Sequence, residues 1–507
     1  MREGLVFLRR KTPDFMNIKP KTIPDHPVFR SRAFRAAVAS AVAQKKEVYL
    51  VGGFLRDLFA GYKKPSLDLD FSVERGAIDF GRTLARRLKA GFVVLDREHG
   101  CCRLVFKDGA MGRMATFDFV DFRGRDFEAD LKKRDFTVNT LAVRLPFKRT
   151  GLLDLCGGLK DLRAKMVRMV GPSSFDEDPL RILRAFSLSA TLGFAIEPAT
   201  LRLAQLKREQ LRGVAGERLR DEFFKVLAVG DAWRHIREMD RRHVLENVIP
   251  QIRVMYNVKQ GGYHHLDVWG HSLETVRKLE EQLGRFRGDQ DVARYMDEPM
   301  TTGRSRRQLI KLAAMLHDIG KPKAHEVKAG KTMFHGHERI GRIISDAVSE
   351  RLRLSTRERF ALDTIIFWHL RPGYLADNKV LTRRAIHRFF RDTREEAVSV
   401  LLVSIADQRA TRGPLATPES RKRHEKVSFA LIREYFDVLK QKPFVRLING
   451  TDLIRKLKLA PGPVFSTILD AVEDAQVEGR VRTKPQAIAL ARAIAAKGTG
   501  RPARKER

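Results

Sequence analysis

The sequence predicts a small α/β domain near its N-terminal end, followed by regions that are entirely helical. Three observations carry that expectation. Between about Glu47 and Asp161, short apolar runs (VYLVG, LDLDFSV, FVVLD, CRLVF, TFDFVDF, LAVRL) alternate with one helical pattern, Ile78 to Ala90. This is the rhythm of a mostly antiparallel or mixed sheet. From about Ser173 to Val229, Leu and Ala recur at three- and four-residue spacing, as they do along a helix with one buried face. At 507 residues the chain exceeds what one core can hold, and about three domains is the matching expectation.

Further along, a helical region runs from about Val254 to Leu439, interrupted between Gly284 and Gln308 by a polar, Gly- and Arg-rich stretch that reads as a loop. A smaller unit follows from Pro443 to about Ala496. The end, KGTGRPARKER, has no large apolar residue and is expected to be disordered. No internal repeat is visible.

Lys and Arg number 98 against 62 Asp and Glu, a net charge of +36, which draws the chain to polyanions such as nucleic acid. The three cysteines, Cys101, Cys102 and Cys156, show neither a pairing pattern nor metal spacing and read as reduced thiols. The opening MREGLVFLRRKTPDFMNIKP breaks into charge before an apolar core forms, so no signal peptide is expected. No stretch approaches about 18 uncharged apolar residues, so no membrane span is expected either. The sequence therefore reads as a basic cytoplasmic protein.

The first candidate site lies in VYLVGGFLRDLFAGYKKPSLDLDFSV. Asp68 and Asp70 are i and i+2 in LDLDF, and on a strand such side chains leave the same face. Two carboxylates that close repel unless a cation sits between them, and hard oxygen ligands beside a polyphosphate suit Mg²⁺. Taken alone, alternating Asp on an exposed strand is the plainer reading. Gly52 and Gly53 alter the balance, because a paired glycine between a strand and a helix lets backbone N–H groups approach phosphate closely. Arg56, one turn on, is placed to reach the same anion. In KRDFTVN, Arg134 can clamp phosphate or ribose oxygens, and Asp135 with Asn139 can orient it or bond a sugar hydroxyl.

EDPLR puts Asp178 and Arg181 at i and i+3, read here as one helix face. Asp accepts hydrogen bonds and Arg donates them. Adenine and cytosine both present an exocyclic amine beside a ring-nitrogen acceptor, so this pair accepts both and leaves polar groups unmatched against guanine or uracil. A simple salt bridge is the competing reading.

A second candidate site is scattered along the helical region: His271, the adjacent His317 and Asp318 in LHDIGKP, then His337, His369 and Asp407. Most sit among apolar residues, where a buried His or Asp needs a partner. Imidazoles with carboxylates suit Mn²⁺, Ni²⁺, Fe²⁺, Co²⁺ or Zn²⁺. His264, His265 and His335 read as flanking residues.

The motifs VGGFLRD, LDLDF, DLKKRDFTVNTLAV, LLDLCGGLKDL, FDEDPLRILRAF and GERLRDEFFKVL, in that order, resemble those of the tRNA nucleotidyltransferase and bacterial poly(A) polymerase family of class II. The resemblance implies a polymerase-beta-like α/β head at 31–170 after an N-terminal extension, a helical neck at 171–250, an HD domain at 251–440, an RNA-binding tail at 441–495 and a basic end from 496. It also implies template-independent addition of C and A to tRNA or other RNA 3′ ends from CTP and ATP, with Asp68 and Asp70 on Mg²⁺. A-only, CC-only and poly(A) addition share the same motifs. Asp118 matches a further acidic position and Arg184 a further nucleotide-contacting arginine. Lys133 stands where the family has Arg, and Ser187 where it often has Arg, which puts one phosphate contact in question. The histidine order resembles the HD phosphohydrolase superfamily: His271, His317, Asp318 and Asp407 match the basic ligand set, and His337 and His369 match positions that permit a second metal. Some relatives use this domain on 2′,3′-cyclic phosphates and similar ends. Arg455, Lys456 and Lys458, before Pro461-Gly462-Pro463, are expected to touch RNA phosphates. No obligate protein partner is evident. Two readings of other classes are a metal phosphohydrolase whose first half only binds nucleotide, and a non-catalytic RNA chaperone.

Overall fold

The computed structural model describes residues 22–62, 67–108, 112–378, 380–441 and 444–498. Most of the expected N-terminal extension and nearly all of the basic end lie outside them. The chain divides into two compact units that meet in sequence at Val248 and Ile249.

The first unit is built on one sheet of seven strands: β1 (Val48–Val51), β2 (Leu67–Val73), β3 (Gly91–Asp96), β4 (Cys101–Asp108), β5 (Arg113–Asp121), β6 (Ala142–Arg144) and β7 (Leu152–Leu153). Their spatial order is β3-β4-β5-β2-β1-β6-β7. Strands β2 and β5 run parallel, and the other neighbours pair antiparallel, so the sheet is mixed. Alternation along the central strands sets the faces. Leu67, Leu69 and Phe71 of β2, Ala115, Phe117 and Phe119 of β5, and Cys102 and Leu104 of β4 are buried. Phe71 stacks on Phe119 with ring centroids 4.8 Å apart, and Phe80 of the helix Ala77–Leu88 packs on Phe119 at 5.2 Å. The residues between them, Asp68, Asp70, Thr116, Asp118 and Arg103, are thereby turned to the opposite face. Apart from a short parallel pair, Met166–Val167 with Ala195–Ile196, the rest of this unit is helical, with Leu180–Leu192 packed on Gly216–Leu227.

The second unit is centred on the helix Ala397–Ala410, apolar on every side and buried along most of its length. It packs against Val268–Arg285, Arg306–Leu316, Thr356–Trp368 and Pro418–Leu439, as expected of a helix without a polar face. Three final helices, Gly450–Leu457, Val464–Val477 and Lys484–Gly498, share a small cluster around Leu453, Ile468 and Val472. Among the described residues no helix is long and apolar enough to cross a membrane.

The stretch from Gly284 to Gln308 is not the expected loop. It contains a helix, Gln290–Asp297, capped by Asp289, and a two-stranded hairpin, Pro299–Thr301 with Arg304–Ser305. The polar composition masks Val292, Tyr295 and Met296, which bury one face at i, i+3 and i+4. The hairpin leads into Arg306, whose buried guanidinium pairs with the buried Glu396, and with Glu298 at 2.8 Å. Removing one member of such a pair strands a charge. Arg306→Met should destabilise the second unit by about 3–5 kcal/mol, and Arg306→Met with Glu396→Leu should recover most of it. The midpoint of urea unfolding measures both.

Candidate active site

On the open face of the sheet the register places Asp70 beside Asp118 and Asp68 beside Thr116, across the parallel pair β2 and β5. Thr116 Oγ1 donates to Asp68 Oδ1. Burial, together with the charges of Asp118 and Asp68, pushes the Asp70 carboxyl above its usual range, against the pull of Arg134 and Arg184. A cation among these oxygens would relieve that repulsion, and an all-carboxylate donor set fits Mg²⁺. Gly52 closes the site from the β1 side. Its φ of 91° falls in the region that favours glycine, and a Cβ there would lie 3.1 Å from Asp70 Oδ2 and 3.7 Å from Arg134 Nη1. Backbone, carboxylate and guanidinium thus converge, and the helix Gly53–Phe59 starts at that point.

Arg134 is aimed by a buried relay. Its Nη2 donates to Ser72 Oγ at 2.9 Å, and Ser72 donates in turn to Asp130 Oδ2 at 2.9 Å. A second relay ties the separate motifs together. Arg56 Nη1 donates to Asn139 Oδ1 at 2.6 Å, Asn139 Nδ2 donates to Asp135 Oδ1 at 3.0 Å, and Arg184 Nε lies 3.1 Å from Asp135 Oδ2. Burial would raise Asp135, but Arg184 and the hydrogen bonds from Asn139 and Phe136 hold it below its usual value. Arg56 also pairs with Asp57 and is buried, so in this structure it braces Asn139 and is shielded from solvent.

Asp178 and Arg181 do not share a helix face. Asp178 precedes Pro179, which disfavours helical backbone at the residue before it, and it is extended with φ −151° and ψ 100°. Its carboxylate accepts from Leu180 N at 3.2 Å and from Arg218 Nη2 at 2.8 Å. Arg181, in the first turn of Leu180–Leu192, donates to the carbonyls of Ser174 at 3.1 Å and Lys133 at 2.7 Å. Ser187 is buried and donates its hydroxyl to Glu222, so it offers no side chain to an external phosphate.

In the second unit the six singled-out residues meet. Asp318 joins two groups: its Oδ2 lies 3.2 Å from His317 Nε2 and 3.5 Å from His271 Nε2, and its Oδ1 lies 3.3 Å from His337 Nε2 and 3.7 Å from His369 Nε2. Asp407 Oδ1 is 2.9 Å from His271 Nε2. Three imidazoles are held the same way, Nδ1 to a carbonyl three residues back: His317 to Ala314 at 2.9 Å, His337 to Phe334 at 2.8 Å and His369 to Ile366 at 2.7 Å. That bond fixes the tautomer and presents Nε2 to the centre, the arrangement of imidazole ligands with a supported second nitrogen. His271, His317 and Asp407 form one potential metal-ligand group, and Asp318, His337 and His369 the other. Buried His317 Nε2 lies 3.2 Å from Asp318 Oδ2 and 3.8 Å from Asp407 Oδ1, close to both carboxylates but aligned with neither. Burial would lower His317, yet Asp318 and Asp407 hold it up to about 10. His369 is pushed down to about 3 by burial and by His317 and His337. Two buried carboxylates that demand this much positive charge fit divalent cations well. Gly320 permits the geometry, because a Cβ there would collide with the carbonyl of His337.

Arg455, Lys456 and Lys458 are exposed at the end of Gly450–Leu457, and the next helix opens at Val464 directly after Pro463. Sequence reading passed over Arg103 and Arg218, which pair with Asp118 and Asp178, and Lys321, whose Nζ is 2.6 Å from Asp318 Oδ2. It also set aside His264, which is partly buried with its ring 4.6 Å from that of His271. Period-two alternation on β4 could have shown Arg103, and the i, i+3 spacing in HDIGK could have shown Lys321.

Residues 48–168 match the model of the poly(A) polymerase head domain, and residues 193–255 that of an RNA- and SrmB-binding site of polymerase A. Residues 268–412 match the HD domain, and residues 421–491 match domain 2 of tRNA nucleotidyltransferases. Over 451 residues the chain is 32% identical to the A-adding tRNA nucleotidyltransferase of Deinococcus radiodurans, covering 87% of this chain and 94% of that one. It is 30% identical over 458 residues to the CC-adding tRNA nucleotidyltransferase of Thermus thermophilus, covering 88% and 93%. A solved CCA-adding enzyme in complex with ATP shares the fold, with a TM-score of 0.62 at 22% identity over 95% of this chain and 97% of that one. Identity of this extent along nearly the whole length shows that the chain is an enzyme of the tRNA nucleotidyltransferase family.

Proposed function

We propose that the chain adds C and A to the 3′ ends of tRNA without a template, taking CTP and ATP and releasing pyrophosphate. The observation that carries this reading is the convergence of Gly52, Asp70 and Arg134 on one point of the open sheet face. Gly52 lets backbone N–H groups approach the triphosphate at a helix start, and Arg134, fixed through Ser72 and Asp130, contacts its oxygens. Mg²⁺ bound by Asp68 and Asp70 would activate the RNA 3′ hydroxyl and steady the leaving pyrophosphate. Asp135 and Asn139 orient the nucleotide, with Arg184 anchored on Asp135. Asp178 accepts from the exocyclic amine of A or C and Arg181 donates to the ring nitrogen, which requires Asp178 to exchange its bond with Arg218, and Arg181 a bond to the Ser174 or Lys133 carbonyl, for the base. The exposed Arg455, Lys456 and Lys458 meet RNA phosphates. Two narrower readings, addition of the terminal A alone or of CC alone, rest on similar identities, 32% to an A-adding and 30% to a CC-adding enzyme.

We also propose that the histidine cage is a working phosphohydrolase for RNA ends such as 2′,3′-cyclic phosphates. Ni²⁺, Mn²⁺, Co²⁺, Fe²⁺ or Zn²⁺ held there would supply an activated water. The residues themselves supply fixed Nε2 ligands and the Asp318 bridge.

Purified protein with Mg²⁺ and each triphosphate should extend a tRNA lacking CCA by C, C and A. One A on a tRNA ending in CC, with none on the shorter tRNA, would establish the A-adding reading. Long A tails on unstructured RNA would make it a poly(A) polymerase. Asp68→Asn should reduce incorporation at least about a thousandfold, measured in single-turnover gels. Gly320→Ala should displace His337 and reduce metal retained by the cage about ten- to a hundredfold. Mass spectrometry of the metal content after gel filtration, compared with His317→Ala, would read this directly, and full retention would contradict the cage geometry.

A further inference from the structure

The open face of the sheet carries a cation that the proposed reaction does not use. Arg103 on β4 sits directly across from Asp118 on β5, and Asp118 is in register with Asp70 on β2. One row across three strands therefore reads guanidinium, carboxylate, carboxylate. Arg103 holds Asp118 in a two-pronged grip, Nε to Oδ1 at 2.8 Å and Nη2 to Oδ2 at 2.7 Å. Both carboxylate oxygens of Asp118 are thus engaged by Arg103. The Arg103 charge is also felt by Asp68 and Asp70.

This pair belongs to the exposed ion pairs of the site. Its side chains are 44% and 25% exposed, as Arg218 and Asp178 are at 53% and 28%, whereas Arg134 and Asp130 are 16% and 1% exposed. An exposed pair is held weakly and can exchange partners, and a buried one cannot do so without stranding a charge. A fork that fits a carboxylate also fits phosphate. A site that admits a metal–triphosphate brings both replacements at once, a divalent cation for Asp118 and phosphate oxygens for Arg103.

We propose that Arg103 is an exchangeable counter-ion for the catalytic carboxylates, a positioning residue that holds Asp118 aligned in the free enzyme and yields it to a divalent cation. This rests on the transferase reading of the same site. No bond is made or broken beyond the exchange of one ion pair for metal ligation, and Arg103 stays charged throughout. The consequence is that the free enzyme binds metal poorly at the head, and metal enters with nucleotide.

The test is Mn²⁺ binding to the full chain without nucleotide, followed by electron paramagnetic resonance, with His317→Ala present in every sample to weaken the competing cage. Arg103→Gln should tighten Mn²⁺ binding roughly three- to tenfold, because the carboxylates lose their internal cation. Arg103→Gln with Asp118→Asn should lose that gain. Arg103→Lys, which keeps the charge without the fork, should tighten binding less, and it decides the matter alone if the Gln variant does not fold. Unchanged or weaker Mn²⁺ binding in the folded variants would overturn the proposal and leave Arg103 as a strut. Incorporation by the otherwise unaltered enzyme is scored separately. Its absence would remove the transferase reading, whereas unchanged Mn²⁺ binding with incorporation intact would remove only the counter-ion.

Discussion

Carboxylates set side by side repel one another, and each unit is organised around supplying the positive charge that keeps them together. In the first unit Asp68, Asp70 and Asp118 share one sheet face with Arg103 and Arg134. In the second, Asp318 and Asp407 are enclosed by four imidazoles and by Lys321. In the second unit Asp318 is buried, where an unpaired charge costs several kcal/mol, so that cluster cannot be incidental. A cation stable in such a place, whether guanidinium, imidazolium or metal, is a condition for the fold around it.

The two solutions differ in stiffness. The head relies on relays: Arg56, Asn139, Asp135 and Arg184 are joined through three contacts that span three separate motifs. Such a network fixes direction, with Arg56 enclosed at one end and Arg184 exposed at the other. The histidine cage relies on repeated local geometry, each of three imidazoles anchored to the carbonyl three residues before it. That device places nitrogen atoms without help from distant chain, and it explains why helix ends supply His317 and His369.

Much of this was legible in the sequence. Period-two alternation in LDLDF carried the shared face of Asp68 and Asp70, whereas Asp118 entered only through the family resemblance. The apolar settings of His317 and His369 carried their burial. The failures were also physical. Spacing alone put Asp178 and Arg181 on one helix face, yet Pro179 keeps Asp178 outside the helix and hands it to Arg218. The polar stretch before Arg306 hid three apolar residues sufficient to bury a short helix. Pairings across strands, such as Arg103 with Asp118, depend on register, which hydrophobic pattern does not reveal for the polar face.

The claim on which the rest depends is that Asp68 and Asp70 form a cation site coupled to nucleotide. Anomalous diffraction from crystals grown with Mn²⁺ and a non-hydrolysable CTP analogue tests it most directly. A peak is expected within ligand distance of both carboxylates, beside the phosphates near Gly52 and Arg134, and it should be lost in Asp70→Asn. An ordered nucleotide with no anomalous density at those oxygens would contradict it.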